Sequence, residues 1–182
     1  MAAFYRAGVA DFLRDDADRI VGQLAAGWGD TGFNELKQQQ LKAWKLEISV
    51  LSDSLRALTA ELPAATRWTL LLEYSIPRRQ RRIDAVLLAG DLIFCVEFKT
   101  KDKAHSRAAE RQVEDYALDL RDFHEESCGR QIIPIVVVPK APAMLPNRRV
   151  VRTTLFVMCD WQMPVTSLTW FASLSAQNMT QR

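Results

Sequence analysis

Residues 82–99 read Arg82-Ile-Asp-Ala-Val-Leu-Leu-Ala-Gly-Asp-Leu-Ile-Phe-Cys-Val-Glu-Phe-Lys99, which predicts two apolar strands joined by a tight turn. The turn falls at Gly90-Asp91, a Gly-X pair suited to a two-residue type II′ hairpin loop. With that loop, Ala89 pairs with Leu92 and the register of the whole hairpin follows. A turn at Ala89-Gly90 would make the acidic residues of the two strands diagonal neighbours on one face, whereas a loop of three residues would place them on opposite faces.

Counting outward from this turn places Asp84 directly opposite Glu97. Directly opposed residues share a face of the sheet, with β-carbons about 4.5–5.5 Å apart. Lys99 follows Glu97 by two residues, so the pleat places it on the same face. Two facing carboxylates weaken a sheet unless a positive charge lies between them. The register therefore predicts an acidic pair with a cationic partner.

Asp84 and Glu97 together predict a site for a hard cation with oxygen ligands. Magnesium takes one or two carboxylates, keeps several waters and uses substrate phosphate oxygens for the rest. The main-chain carbonyl of Phe98 is a further candidate ligand, and Lys99 is placed to position or activate an attacking water. The alternative is a surface hairpin with an Asp84–Lys99 salt bridge. The apolar neighbours on the predicted face favour the cation site; they are Val86, Leu88 and Ile93.

The chain has 182 residues and a net charge of +2, which suits one soluble domain and does not by itself announce a nucleic-acid binder. Charge is concentrated around the acidic pair, because residues 78–111 carry nine Lys or Arg against five Asp or Glu. Three widely spaced cysteines argue against a disulfide framework or a zinc site and favour a reducing cytoplasm. No apolar run approaches 18 residues, so no membrane span is predicted.

Apolar periodicity predicts the remaining elements. Helices are expected at 9–26, 31–62 and 108–126, with a short final helix at 167–175. Besides the hairpin, strands are expected at 68–76, 132–138 and 150–159. The resulting order, α-α-β-β-β-α-β-β-α, predicts an α/β fold with a mixed sheet and helices on both faces. The inner face of the third helix is expected to contain Ala109, Val113, Tyr116, Ala117, Leu120 and Phe123.

The hairpin resembles the PD-(D/E)XK nuclease superfamily, whose restriction-endonuclease-like fold has an αβββαβ core. In that pattern an Asp on one strand is followed, after a hairpin, by Glu-x-Lys on the next. Here Ile83-Asp84 stands for the Pro-Asp and Glu97-Phe98-Lys99 for the second half. The resemblance covers residues 41–138, so 1–30 would be an N-terminal helical extension and 139–182 a C-terminal extension of a single domain. It implies phosphodiester hydrolysis with Mg²⁺, for which Mn²⁺ would substitute.

The resemblance extends to residues outside the hairpin. Nucleases whose following helix carries Gln-x-x-x-Tyr match Gln112 and Tyr116, which would then line the site; the alternative for Gln112 is a helix-to-sheet hydrogen bond. A further catalytic Glu often comes from the first core helix, where Glu47 is the candidate. Glu73 is its rival and could instead form a structural ion pair with Arg82.

Several basic residues near the motif could hold a polyanion, with DNA favoured over RNA as the partner. The residues expected to contact it are Arg78, Arg79, Arg81, Arg82, Lys101 and Lys103, together with Tyr116 of the following helix. His105 lies in the same region and is expected to be a solvated loop residue.

The opening Met-Ala-Ala-Phe-Tyr-Arg-Ala and the stretch starting at Gln112 also resemble the nuclease-like N-terminal region of certain bacterial DNA/RNA helicases. A helicase motor in the same longer polypeptide is then an expected partner, although this sequence contains no Gly-x-x-x-x-Gly-Lys-Ser/Thr motif. Two alternatives to a nuclease remain. One is a catalytically silent nucleic-acid-binding domain of the same fold, and the other is a structural or protein-interaction domain.

Overall fold

The structure is a computed structural model that describes residues 3–28, 34–76, 81–127 and 129–141, together with strands at 150–151, 154–155 and 157–159. Of residues 34–37 and of the last three strands only the backbone is described.

A mixed sheet forms the centre of an α/β fold. Its order is β1-β2-β3-β4-β5-β8, in which the first four strands pair antiparallel and the last two contacts are parallel. The strands are β1 (Tyr5–Gly8), β2 (Thr69–Ile76), β3 (Arg81–Ala89), β4 (Leu92–Phe98), β5 (Gln131–Val137) and β8 (Val157–Cys159). A separate two-stranded hairpin pairs β6 (Val150–Val151) with β7 (Thr154–Leu155).

Helices cover both faces of this sheet. They are α1 (Val9–Phe12), α2 (Ala17–Trp28), α3 (Asn34–Glu61) and α4 (Arg107–Phe123), with single 3₁₀ turns at Pro63–Arg67 and Glu125–Ser127. The hydrophobic cluster that contains the residues of α2 and α3 is called the α3 face below, and the cluster that contains those of α4 is called the α4 face. The mixed sheet between two helical layers is the α/β class that the order of elements predicts.

Helix α3 buries the predicted apolar stripe. Residues at three- and four-residue spacing lie on one side of a helix, so they pack together against the sheet. The stripe residues buried on the α3 face are Trp44, Ile48, Leu51, Leu55 and Leu58. On α4 the predicted inner face is buried except for Phe123, which is 60% exposed at the end of the helix. The assignment of Phe123 to the core is therefore wrong.

The central hairpin has the predicted loop. Ala89 pairs with Leu92, which leaves Gly90 and Asp91 as a two-residue turn. Gly90 has φ +64°, and Glu73 is the one described non-glycine residue with positive φ, so φ is negative at Asp91. A positive φ at the first central position alone is the signature of a type II′ turn.

The N-terminal region departs from the prediction. The expected helix at 9–26 is broken between Phe12 and Ala17, and strand β1 precedes it. The break has a local cause, because the Asp16 carboxylate accepts a hydrogen bond from the Arg19 N–H and so caps the start of α2. Strand β1 pairs with β2 at the edge of the sheet, so the first residues contribute to the sheet and not only to helices.

The C-terminal region is only partly described. The single strand expected at 150–159 is divided into three short ones, of which β8 extends the sheet beside β5. The final helix expected at 167–175 lies outside the described residues.

Candidate active site

Strands β3 and β4 stop pairing where the two acids begin. The last bridged pair is Ala85 with Val96, and the same register continued by one residue places Asp84 opposite Glu97. Beyond this pair a side chain takes the place of the backbone hydrogen bonds, since Asp84 Oδ2 accepts a hydrogen bond from the Phe98 N–H at 2.7 Å. The hairpin register therefore brings Asp84 and Glu97 together, as the sequence predicts.

Glu97 has two oxygens in different surroundings. The residue is 5% exposed, and its Oε1 accepts hydrogen bonds from Lys99 Nζ at 2.8 Å and from Gln112 Nε2 at 2.7 Å. Its Oε2 is buried and, among the described residues, receives no hydrogen bond while Asp84 is ionised. An unsatisfied buried acceptor costs about 1–3 kcal/mol, and more when the group is charged. With both carboxyls ionised, Glu97 Oε2 is thus an acceptor without a donor, and only protonation of Asp84 gives it a hydrogen bond.

Gln112 joins helix α4 to the acidic pair. Its Oε1 accepts from Lys99 Nζ at 2.8 Å, and its Nε2 donates to Tyr116 Oη at 2.7 Å as well as to Glu97. Gln112 and Tyr116 are one helical turn apart, so both reach the same end of β4. The helix-to-sheet hydrogen bond considered for Gln112 is present, and its partners are Glu97 and Lys99, two of the residues predicted to form the site.

The carboxyls of the site raise one another's pKa. Burial raises the pKa of Asp84 well above its usual range, and the charges of Glu97 and Glu47 add to this, while the Phe98 N–H opposes it. Burial also raises the pKa of Glu97, against the hydrogen bond and charge of Lys99 and a hydrogen bond with Asp84. Burial, followed by the charges of Glu73 and Glu97, raises the pKa of Glu47 to about 8. Ionisation of all these groups is therefore unfavourable without an added cation.

Glu47 and Glu73, the two candidates for a further acid, differ in their partners. Glu73 uses both oxygens, because Oε1 accepts from Trp44 Nε1 at 2.7 Å and Oε2 pairs with Arg82 Nε at 2.9 Å. Glu47 has no basic side chain within ion-pair distance in the described part of the chain. The structural ion pair considered for Glu73 is present, which leaves Glu47 as the acid that faces the pair without a partner.

Charges in the site do not balance. Four neighbouring carboxyls, those of Glu47, Glu73, Asp84 and Glu97, face two paired cations, Arg82 and Lys99. Two negative charges remain unmatched when all four are ionised, which is the charge of one divalent cation.

A cation could be held by two carboxylates. The described residues contain no group of three or more His, Cys, Asp or Glu side chains that could hold a metal ion together. Magnesium needs only one or two carboxylates and completes its shell with water and phosphate oxygens. Asp84 and the free oxygen of Glu97 fit that requirement, and the Phe98 carbonyl belongs to the residue whose N–H already binds Asp84.

The basic residues predicted to contact a polyanion include exposed side chains and one, Arg82, that forms an ion pair within the fold. Arg78 and Arg79 lie outside the described residues, while Arg81 and Lys103 are exposed. Lys101 is exposed too and donates to Gln39 Oε1 at 2.9 Å. Arg82 is bound to Glu73 and lies over the Phe4 ring at 5.1 Å, so part of its charge serves the fold.

Some site features escaped the sequence analysis. Trp44 is buried in the core, and its indole N–H donates a hydrogen bond to Glu73. A buried indole needs an acceptor, and this requirement is the sequence signal for such a bond. His105 was expected to be solvated, but both of its ring nitrogens are buried without a hydrogen-bond partner. That expectation is wrong for the ring nitrogens, while the residue as a whole is half-buried.

Comparison with protein-family models, curated proteins and solved structures finds no match. Among the helices described, none combines the length and the apolar character needed to cross a membrane. Cys95 is buried and has a free thiol.

Proposed function

We propose that this protein is a metal-dependent nuclease that hydrolyses phosphodiester bonds, with DNA as the favoured substrate. The observation that carries the proposal is the buried Oε2 of Glu97 beside Asp84, which has no donor among the described residues when Asp84 is ionised, in a site that would carry two unmatched negative charges if its four carboxyls were ionised. A site of this composition suits a hard divalent cation and a phosphate better than it suits an uncharged ligand.

The order of elements supports a restriction-endonuclease-like fold as part of this proposal. Helix α3 precedes three antiparallel strands, β2, β3 and β4, and α4 then crosses to the parallel strand β5. This is the αβββαβ order, and the acids stand at the divergence of its second and third strands. The edge strand β1 would be an addition to that core.

Asp84, Glu97 and the Phe98 carbonyl would hold the cation. When bound, a divalent cation polarises the phosphate and lowers the pKa of a coordinated water. Among the described residues Glu47 has no basic partner, and it lies near enough to raise the pKa of Asp84, which suits a role in binding water around the cation.

Lys99 would act as a charged donor. Burial lowers its pKa, but the hydrogen bond and charge of Glu97 and the charge of Asp84 outweigh burial, so its pKa is raised. An ammonium held in this way stays protonated at neutral pH and stabilises charge that develops at phosphorus. Gln112 fixes its position by accepting a second hydrogen bond.

Cleavage of single- and double-stranded DNA and RNA in Mg²⁺ or Mn²⁺ tests the proposal. We expect metal-dependent hydrolysis that falls at least 100-fold in Asp84→Asn, Glu97→Gln and Lys99→Met, since each removes a charge from the site. Asp115→Asn, which changes an exposed acid on α4, is the matched control and should keep full activity. Undiminished cleavage in all three site variants contradicts the proposal. Salt-sensitive binding without cleavage would indicate the catalytically silent domain instead.

A further inference from the structure

We infer that Glu73 is a positioning residue for Asp84. At Glu73 the side chains of β2 and β3 exchange faces of the sheet, and at the same point Asp84 is missing from the ladder of paired residues. The inference rests on the proposed function, in which Asp84 binds the cation. The described contacts of Glu73 are with Trp44 and Arg82, so its effect on the site would pass through the backbone of β3.

The backbone of Glu73 is unusual for a strand. Its φ is +50°, in the left-handed region that residues with a β-carbon rarely adopt. Such a conformation persists only where the surroundings determine it. Glu73 is 5% exposed, and two side-chain bonds hold it, one to Trp44 on α3 and one to Arg82 on β3.

The pairing of β2 with β3 is interrupted only at this residue. Leu72 pairs with Ala85 and Tyr74 pairs with Ile83, while the pair between them, Glu73 with Asp84, is missing from the ladder. The register is the same before and after the gap, so no residue has been inserted and the feature is not a β-bulge.

Both strands change face at the gap. Leu72 lies on the α3 face and Tyr74 on the α4 face, although residues two apart in a regular strand share a face. Ala85 and Ile83 show the same exchange on β3.

Asp84 lies at the centre of this reversal. In a regular strand it would point with Val86 and Leu88 toward the α4 face. Instead its carboxylate reaches along the sheet to the Phe98 N–H and lies beside Glu97. The left-handed residue opposite is therefore what turns Asp84 out of the ladder and toward β4.

Amide hydrogen exchange of Phe98, measured without metal, tests the inference. Phe98 N–H is bound by Asp84, whereas the neighbouring Lys99 N–H is bound by the Val137 carbonyl at 2.8 Å and serves as an internal control. In Glu73→Ala we expect Phe98 exchange to accelerate at least tenfold relative to Lys99, because alanine disfavours positive φ and lacks the carboxylate. In Glu73→Gly, which also lacks the carboxylate but accepts positive φ, most of the protection should return.

Parallel changes at Phe98 and Lys99 in both variants would show a general loss of stability and overturn the inference. If Glu73→Ala does not fold, Trp44→Phe and Arg82→Met each remove one of the two side-chain bonds and should give smaller, selective increases at Phe98. Equal increases in the exchange rates of Phe98 and Lys99 in those two variants would also overturn the inference.

Mn²⁺ affinity, measured by calorimetry, tests whether the position of Asp84 that Glu73 sets matters for cation binding. Affinity should fall at least tenfold in Glu73→Ala and recover to within about threefold of the unaltered protein in Glu73→Gly. Mn²⁺ affinity that is unchanged in Glu73→Ala contradicts a positioning role for Glu73. If the unaltered protein binds no Mn²⁺, the proposed function fails, while the exchange measurement still decides whether Glu73 positions Asp84.

Discussion

The two carboxylate oxygens of the single residue Glu97 show why a cation is expected to bind in this site. Its Oε1 accepts hydrogen bonds from Lys99 and Gln112, while its buried Oε2 has no donor among the described residues when Asp84 is ionised. Lys99 therefore neutralises only part of the local charge, because in the described part of the chain neither Asp84 nor Glu47 forms an ion pair of its own. A ligand that binds the folded state alone and supplies two positive charges should stabilise the protein.

Thermal unfolding with and without Mg²⁺ measures this stabilisation. At a Mg²⁺ concentration 100-fold above Kd, binding contributes about 2.7 kcal/mol. For a domain of this size that corresponds to a rise in Tm of roughly 5–10 °C. The rise should vanish in Asp84→Asn and in Glu97→Gln but persist in Asp115→Asn. A rise of equal size in all four proteins would mean that Mg²⁺ acts elsewhere.

The pH dependence of stability should reveal the raised pKa of Glu47. Its pKa is raised from 4.5 to about 8, chiefly by burial, so between these values the folded state binds more protons than the unfolded state. The free energy of unfolding therefore falls as pH rises through this window. Glu47→Gln removes the ionisation, so its stability relative to the unaltered protein should increase between pH 5 and pH 8.

Urea unfolding in a chelator at several pH values is the measurement for Glu47. Glu61→Gln, at the exposed end of the same helix, is the control and should track the unaltered protein. If the stability of Glu47→Gln follows that of the unaltered protein at every pH, the pKa of Glu47 is the same in the folded and unfolded states and the site does not raise it.

At the scale of elements, the hairpin of β3 and β4 decides whether the acids meet. The Gly90 loop is two residues long, and a slip of one residue would move every side chain of one strand to the other face. This register was predictable because a turn depends on adjacent residues. The reversal at Glu73 was not, since it depends on Trp44 and Arg82, which belong to other elements.

Two glycine substitutions should change stability in opposite directions. A β-carbon at Gly90 or at Gly22 meets no atom within 4 Å, so neither substitution creates a clash. Gly90 has φ +64°, and Gly90→Ala should destabilise the protein by about 1–2 kcal/mol through backbone strain. Gly22 lies inside α2, where Gly22→Ala should stabilise it by about 0.5–1 kcal/mol.

Chemical denaturation of both glycine variants gives the comparison. A neutral Gly90→Ala would show that the turn tolerates another geometry. The two-residue loop, and with it the meeting of Asp84 and Glu97, would then need another explanation.

At the scale of the whole molecule, the two ends of the central hairpin differ in chemistry. The end at Asp84 and Glu97 also receives Gln112 and Tyr116 from the middle of α4. Exposed Arg81 and Lys101 lie at this end. The opposite end carries the Gly90 turn. A polyanion should therefore contact the end at Asp84 and Glu97 through the exposed Arg81 and Lys101, and the Coulomb attraction should be strongest at low salt.

Salt-dependent binding to short DNA duplexes and single strands tests this polarity. Replacing Arg81 and Lys101 together by Gln should weaken binding and lower the slope of log K against log salt by up to about 2, since each lost phosphate contact removes roughly 0.7–0.9. The matched pair Arg67 and Arg121, also exposed, should leave the slope unchanged when replaced by Gln. Equal losses in the two pairs would point to diffuse attraction.

The sequence by itself determined the hairpin, its register and the apolar stripes of α3 and α4, because turns and helical periodicity depend on residues close together in the chain. It also indicated the acids and Lys99. Only the tertiary structure decided that β1 joins the sheet, that Gln112 binds both Lys99 and Glu97, and that Glu73 rather than Glu47 is neutralised by Arg82. These features join elements distant in the chain, where the partner of a polar group depends on how the layers pack.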